Sequence, residues 1–206
     1  ARAVPDPDGS IPMVLIASEG GASRAGYWTA EVLAQLHERT GGRLGHRVFA
    51  TSPVSGGSVG AVAYAAALQD YRDDTQGKLK AQMRALAGDD ALSPTVGSML
   101  FGDLIQRFLP VGFPDRAEAL ERSWEVTWRK TCAASATCRE DLISGPFLNL
   151  WPQNAARWTP LVIVNGASEE TGRRVVTSKL ALRANEVNVQ DFYGDRARDI
   201  GASTAI

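Results

Sequence analysis

Twice in the first third of the chain, a short apolar run ends in a glycine-rich turn that opens a helical stretch. Met13-Val-Leu-Ile-Ala-Ser18 leads into Glu19 to Gly26, and Arg47 to Pro53 leads into Val54-Ser55-Gly56-Gly57-Ser58-Val59-Gly60. Short continuous apolar runs of this kind read as strands buried in a parallel sheet. Tyr27 to Arg39 has helical spacing, with Trp28, Val32, Leu33 and Leu36 on one side, and Gly41-Gly42 ends it. A second helix is expected from Ser58 through the Ala-rich run to about Asp70. Strand, glycine loop and helix, in that order and repeated, predict an α/β fold with a parallel sheet and helices on its faces.

The chain has 206 residues, enough for one such domain, and its 44% hydrophobic and 22% charged residues are ordinary for a globular protein. Residues 1–12 read as an entry arm. The middle, residues 71–158, reads as helices and loops. Lys78 to Ala87 is an amphipathic helix, and Leu92-Ser93-Pro94 restarts the chain. Phe101 to Leu109 is an apolar helix in which Asp103 and Arg107 are spaced to pair at i,i+4. Asp115 to Lys130 is a further helix with Asp115 as its cap. Leu142 to Trp158 is a loop whose tryptophans are expected to pack beneath it, although they could also line a lipid site. Pro160 to Asn165 is a third strand and Arg173 to Ser178 a fourth. No repeat or linker divides the chain, so a single domain is expected.

A net charge of -1 gives no electrostatic case for nucleic-acid binding. No apolar run approaches the length of a membrane span. The chain opens at Ala1, without a signal-peptide pattern, and is read as a processed or partial chain. Its two cysteines, Cys132 and Cys138, would point to different faces of a helix at about 100° per residue, so a bridge between them requires a loop. A bridge is the preferred reading over two free thiols, and it would imply an oxidising compartment. A metal site is disfavoured because no second Cys or His cluster accompanies the pair.

The chemistry lies in the two glycine loops. Gly56-Gly57-Ser58-Val59-Gly60 fits G-x-S-x-G, in which a sharp turn lifts a serine hydroxyl clear of the backbone. Ser58 is therefore the candidate nucleophile, against the alternative of a plain strand-to-helix turn. Gly20, Gly21 and Ala22 of the first loop can offer backbone amides to a developing oxyanion. A phosphate loop is a weaker reading, because Tyr27-Trp28 follows Gly26 where Lys and Ser or Thr are needed. The dinucleotide fingerprint would need glycine at Ala22. The two histidines are poor bases for Ser58. His37 is read as a surface or helix-end residue, and His46 lies roughly 20 Å away, at the far end of the second strand.

These residues bring a family into view. The chain resembles patatin-like phospholipases, which are serine lipid acyl hydrolases. Their D-G-G-G-x-R-G motif aligns with Glu19-Gly20-Gly21-Ala22-Ser23-Arg24-Ala25, departing at Glu19, Ala22 and Ala25 and keeping Arg24. Their G-x-S-x-G motif aligns with Gly56 to Gly60. The resemblance implies a three-layer α/β/α sandwich with a mainly parallel central sheet. It also implies a Ser-Asp dyad in place of a triad, and no metal or cofactor. The substrate implied is a phospholipid or lysophospholipid at a membrane surface. The setting implied is a larger, membrane-associated bacterial protein whose domain would be extracytoplasmic if the cysteines are bridged. The family's third element, an Asp in D-G-G or D-G-A, has no match here. Asp199 is the nearest candidate, Asp191 and Asp195 read as loop carboxylates, and the dyad Asp is expected beyond Ile206. The competing reading is an inactive patatin-like module that binds lipid or acts as a scaffold.

Overall fold

A computed structural model describes residues 5–74, 76–109, 112–133, 138–151, 158–182, 189–194 and 200–206. The strands are β1 (Val14–Ser18), β2 (Val48–Pro53), β3 (Leu161–Val162), β4 (Val164–Ala167), β5 (Arg174–Thr177) and β6 (Val189–Asp191). The helices are α1 (Ala22–Arg39), α2 (Leu44–Arg47), α3 (Gly56–Tyr71), α4 (Lys78–Gly88), α5 (Leu92–Gly97), α6 (Asp103–Gln106), α7 (Arg116–Cys132) and α8 (Ala202–Ala205). A π-helical turn at Ser98–Gly102 joins α5 to α6, and a 3-10 turn spans Phe147–Leu150.

β1, β2 and β3 form a parallel sheet in that order. β4 pairs antiparallel with β5, and β5 pairs parallel with β6. The expected third strand, Pro160 to Asn165, is thus divided in its pairing. Its first half lies on β2, and Ile163 still donates to Thr51 O at 2.9 Å. At Asn165 the run bridges Val54 and turns into the antiparallel ladder with β5.

The helices pack on the face of the first sheet that carries Val14 and Ile16. Met13, Leu15 and Phe49 on the reverse face are exposed. The fold is α/β, with a small parallel sheet and helices packed against it. α3 lies at the centre, buried at every residue from Gly57 to Leu68, between the sheet and a layer formed by α1 and α4. Small side chains all round make that position possible, because an apolar helix without a polar face belongs in the interior.

α1 begins five residues earlier than its spacing suggested and buries a different face. Thr29, Ala30, Leu33, Ala34 and His37 point inward, while Trp28 and Leu36 are exposed. Close approach to α3 needs small residues, so Gly26, Ala30 and Ala34 take the contact and the bulky residues are left outside. His37 is therefore buried rather than on the surface. α4 runs antiparallel to α1 along a polar seam. Lys80 Nζ donates to Glu38 at 3.0 Å, Arg84 Nη2 donates to Glu31 at 2.7 Å, and Gly88 lies against Tyr27.

Asp115 caps α7, accepting from Glu118 N–H at 2.8 Å. Asp103, expected to pair with Arg107, pairs instead with Arg116 of the next helix at 3.7 Å. Trp151 and Phe147 are buried with rings 5.1 Å apart, and the Trp151 indole N–H donates to Pro160 O at 3.0 Å; residues 152–157 of the expected 142–158 loop lie outside the described residues. Cys132 and Cys138 are joined in a disulfide with Cα atoms 5.2 Å apart, closing the C-terminal end of α7. No described helix is long and apolar enough to cross a membrane.

Hydrogen bonding from Arg84, with further help from Gln35 and Lys80, holds the Glu31 carboxyl at about 2 against an ordinary 4.5. A depressed carboxyl pKa stabilises the fold above the unfolded value, and that contribution is lost as pH falls toward the folded one. The melting temperature should therefore fall as pH drops from 4.5 to about 2. Glu31→Gln should lower it at neutral pH and flatten its acid dependence across that window. Equal acid dependence in both proteins would mean that Glu31 does not carry the effect.

Candidate active site

β1 and β2 run parallel in register, Ser18 beside Pro53, so the two glycine loops leave the sheet at the same end. The first loop is short. α1 starts at Ala22, leaving Glu19, Gly20 and Gly21 between strand and helix. Gly21 turns the chain with φ 146° and ψ 35°, and Ala22 follows at φ 53°, a left-handed value that costs a non-glycine residue about 1–2 kcal/mol.

The second loop is just as tight. β2 ends at Pro53, α3 starts at Gly56, and only Val54 and Ser55 connect them. Ser55 takes φ 50° and ψ -129° to make the turn. Ala22 and Ser55 are the non-glycine residues with positive φ among the described residues, and they sit across from each other. A Cβ built on Gly56 would come within 1.9 Å of Ala22 O, and one built on Gly20 within 3.1 Å of Ser55 Cβ. The glycine loop therefore lies directly against Ser55, and residue 20 must lack a side chain for Ser55 to stay open.

Ser58 is placed differently from the sequence expectation. It lies in the first turn of α3, with its N–H donating to Ser55 O at 2.8 Å and its side chain wholly buried. Its Oγ has no hydrogen-bond partner among the described residues. The motif glycines explain why. Gly60 packs α3 on α1, where an added Cβ would lie 2.7 Å from Ala30 N and Gly26 O. On Gly57 an added Cβ would lie 2.7 Å from Glu19 O. The spacing of Gly56 and Gly60 thus reports close helix packing, and Ser58 sits inside that contact. The exposed serine at the strand-to-helix turn is Ser55, three residues earlier.

Spacing could not single it out, because Pro53-Val54-Ser55-Gly56-Gly57 has proline where the motif asks for glycine. That position is the last residue of β2, paired beside Ser18, with ordinary strand backbone. The sequence reading also missed Asn165. Its amide donates to Pro53 O at 2.9 Å and to Ser52 Oγ at 3.1 Å, bracing the end of β2 just before Ser55. Arg174 Nε donates to the Asn165 side-chain oxygen at 3.0 Å and fixes its orientation.

Both helices that begin here, α1 and α3, lack an acidic residue in the first turn and a side-chain cap. Their uncapped N-termini, with their partial positive charge, lie beside Ser55, an arrangement that favours an anion. Arg24 is exposed on the first turn of α1 and belongs to none of the ion pairs among the described residues. A cation there opposes the helix dipole, so its place is not explained by helix stability.

No carboxylate or histidine hydrogen-bonds Ser55 among the described residues. His37 is buried on the far half of α1, with Nε2 3.0 Å from Arg72 O and Nδ1 3.2 Å from Tyr64 Oη, and burial pushes its pKa down. His46 is in α2, at the opposite end of β2. Asp191 ends β6 and accepts from Leu182 N at 2.9 Å and Tyr193 N at 3.0 Å, a turn-forming role. Asp195 and Asp199 lie outside the described residues. No group of three or more His, Cys, Asp or Glu among the described residues is placed to hold a metal. A cavity of about 280 Å³, lined by His37, Gly42, Arg72 and Lys80, lies at the other end of α1.

No family model and no curated protein sequence matches the chain. Among solved structures it shows a distant likeness to human GIVD cytosolic phospholipase A2 in complex with methyl gamma-linolenyl fluorophosphonate and terbium chloride. The identity is 18% and the TM-score 0.39, over 82% of this chain and 23% of that one. The chain thus spans less than a quarter of that enzyme's length.

Gly60→Ala tests the helix contact that sets this geometry. The added methyl meets backbone atoms that cannot rotate away, so a loss of about 1–3 kcal/mol in urea unfolding is expected. Wild-type stability in Gly60→Ala would mean that α1 and α3 are not held at that distance.

Proposed function

We propose that this chain is a serine acyl hydrolase acting on lipid esters, of phospholipase A or lysophospholipase type, with Ser55 as its nucleophile. One observation carries the reading. Ser55 is exposed, in strained backbone, where two uncapped helix N-termini and a glycine loop converge. Strained serines at strand-to-helix turns present their hydroxyl outward and clear of neighbouring backbone.

In this mechanism Ser55 Oγ attacks the ester carbonyl and its proton passes to a base. The carbonyl oxygen becomes an oxyanion, held by amides of Gly20, Gly21 and Ala22 and by the Gly56 N–H that follows the nucleophile. Collapse of the tetrahedral intermediate breaks the ester bond and releases the alcohol. Water then attacks the acyl-Ser55 ester and frees the fatty acid. The base is a carboxylate in the dyad that the glycine motifs imply. Such a group is a weak base at its ordinary pKa, so desolvation must raise its basicity. Arg24, exposed beside the oxyanion amides, is suited to meet a lipid phosphate. The lipid substrate rests on the resemblance of the Glu19–Ala25 loop to the family's glycine motif, and no metal or cofactor takes part.

The absence of a described partner for Ser55 favours a second reading, a patatin-like module that binds lipid without turning it over. A fluorophosphonate probe separates the two. Wild type and Ser58→Ala should label, and Ser55→Ala should lose labelling together with ester turnover, by about a thousandfold or more. Ser58→Ala should also fold normally, since it removes a buried hydroxyl that has no partner. Loss of labelling in Ser58→Ala alone would return the nucleophile to Ser58. No labelling of a folded wild-type protein, repeated on a chain extended past Ile206 where the dyad Asp is expected, would favour the inactive module.

A further inference from the structure

The chain from α5 to the end of α6 is amphipathic with its polarity reversed. Leu100, Phe101, Leu104, Ile105, Phe108 and Leu109 recur at helical spacing, and all are exposed, Phe101 at 68% and Phe108 at 75%. The half-buried side of the same segment is small or polar, with Gly97, Ser98, Gly102, Asp103 and Gln106. That side packs toward α7. A surface helix ordinarily turns its apolar stripe to the core. Here the inward register is fixed by specific contacts. A Cβ on Gly102 would meet Pro114 O at 3.0 Å, and Asp103 pairs with Arg116. The outward stripe is therefore built to meet an apolar medium.

Its position is set by α4. That helix runs antiparallel to α1, from the Lys80–Glu38 pair to the contact of Gly88 with Tyr27. Tyr27 lies one turn from the Gly20–Ala22 loop, so the chain enters α5 at the end of the molecule where Ser55 opens. Trp28, 68% exposed, is at the same end. The charge pattern narrows what the stripe can meet. Between Leu92 and Phe113 the charged residues are Asp103 and Arg107, which cancel. The flanks carry Asp89, Asp90, Asp115 and Glu118 against Arg116 alone, and are net acidic. An anionic surface would be repelled, whereas a zwitterionic one would accept the apolar side chains without opposition.

We propose that the α5–α6 segment lies flat in a zwitterionic lipid surface, with Phe101, Leu104 and Phe108 inserted and Trp28 at the headgroup level. The choice of a lipid surface over a protein partner rests on the lipid-ester reading of Ser55. Docking in this orientation turns the end of the molecule that carries Ser55 toward the lipid.

The test is flotation with phosphatidylcholine vesicles made of ether-linked lipid, which cannot be hydrolysed, using the whole chain. Wild type and Ser55→Ala should both float. Binding should persist in high salt and weaken as phosphatidylserine is added at low salt. Phe101→Glu combined with Phe108→Glu should reduce binding by about tenfold or more without changing thermal melting, since both side chains are exposed. Phe108→Trp should show a blue shift on vesicle addition and quenching by brominated acyl chains. Binding without hydrolysis of ester-linked vesicles would keep the docking face and sink the hydrolase. No flotation of folded wild type, or equal flotation of the double variant, overturns the proposal. So does a dimer that the double variant dissociates with no vesicle binding, which would assign the stripe to a second copy.

Discussion

Everything at the candidate site depends on how closely α1 approaches α3. The two helices meet through Gly26, Gly56 and Gly60, where added Cβ atoms would fall 3.0 Å or less from backbone of the opposing chain. Because the backbones meet, the two N-termini lie side by side behind the ends of β1 and β2. Ala22 then stands over Gly56, and Gly20 over Ser55. A side chain at any of these positions would push the first loop away from the second and disperse the amides that face Ser55. The strained backbone at Ala22 and Ser55 costs on the order of 1–3 kcal/mol each, offset by burial of α3 on every side.

The alternation of strand, glycine loop and helix was legible in the sequence because each level of information agreed. β1, β2, α4 and the Asp115-capped α7 are all found where apolar spacing and capping chemistry put them. What spacing misread were the places where a small residue serves packing. In α1 the bulky stripe through Trp28 and Leu36 reads as the core face, but contact with another backbone selects Gly26, Ala30 and Ala34. The same cause governs the second glycine loop. G-x-S-x-G is a pattern of two glycines around a serine, and here the glycines are those of the α1–α3 contact. The turn that strains a serine lies one helical turn upstream and carries proline at the position the pattern reserves for glycine.

Pairings that cross elements were not legible at all. The i,i+4 spacing of Asp103 and Arg107 is real, yet the packing of α6 near the start of α7 places Asp103 within reach of Arg116. Asn165 ends an apolar strand with no local hint that its amide will brace Pro53 and Ser52 on a neighbouring one. Both depend on tertiary placement, which local periodicity does not encode. Exposure is similar. Hydrophobicity marks Phe101 to Leu109 as helical and apolar, but only the anchoring of Gly102 and Asp103 determines that the apolar side faces outward.

The two serines show how differently one side chain can be used within a single turn of helix. A buried hydroxyl without a partner carries the cost of lost hydration, roughly 1–3 kcal/mol, and gains nothing for chemistry that needs solvent, substrate and base to reach it. Ser58 is in that position, enclosed by the contact of α3 with α1 and the sheet. Ser55 pays instead in backbone strain, and for that cost its hydroxyl stands in the open beside amides that no side chain caps. A left-handed serine in a two-residue connection has an easy local remedy, since glycine relieves the strain at no steric cost. On the proposed reading the reason for serine at this position lies in the hydroxyl, and the helix dipoles beside it supply the environment in which a developing negative charge is stabilised.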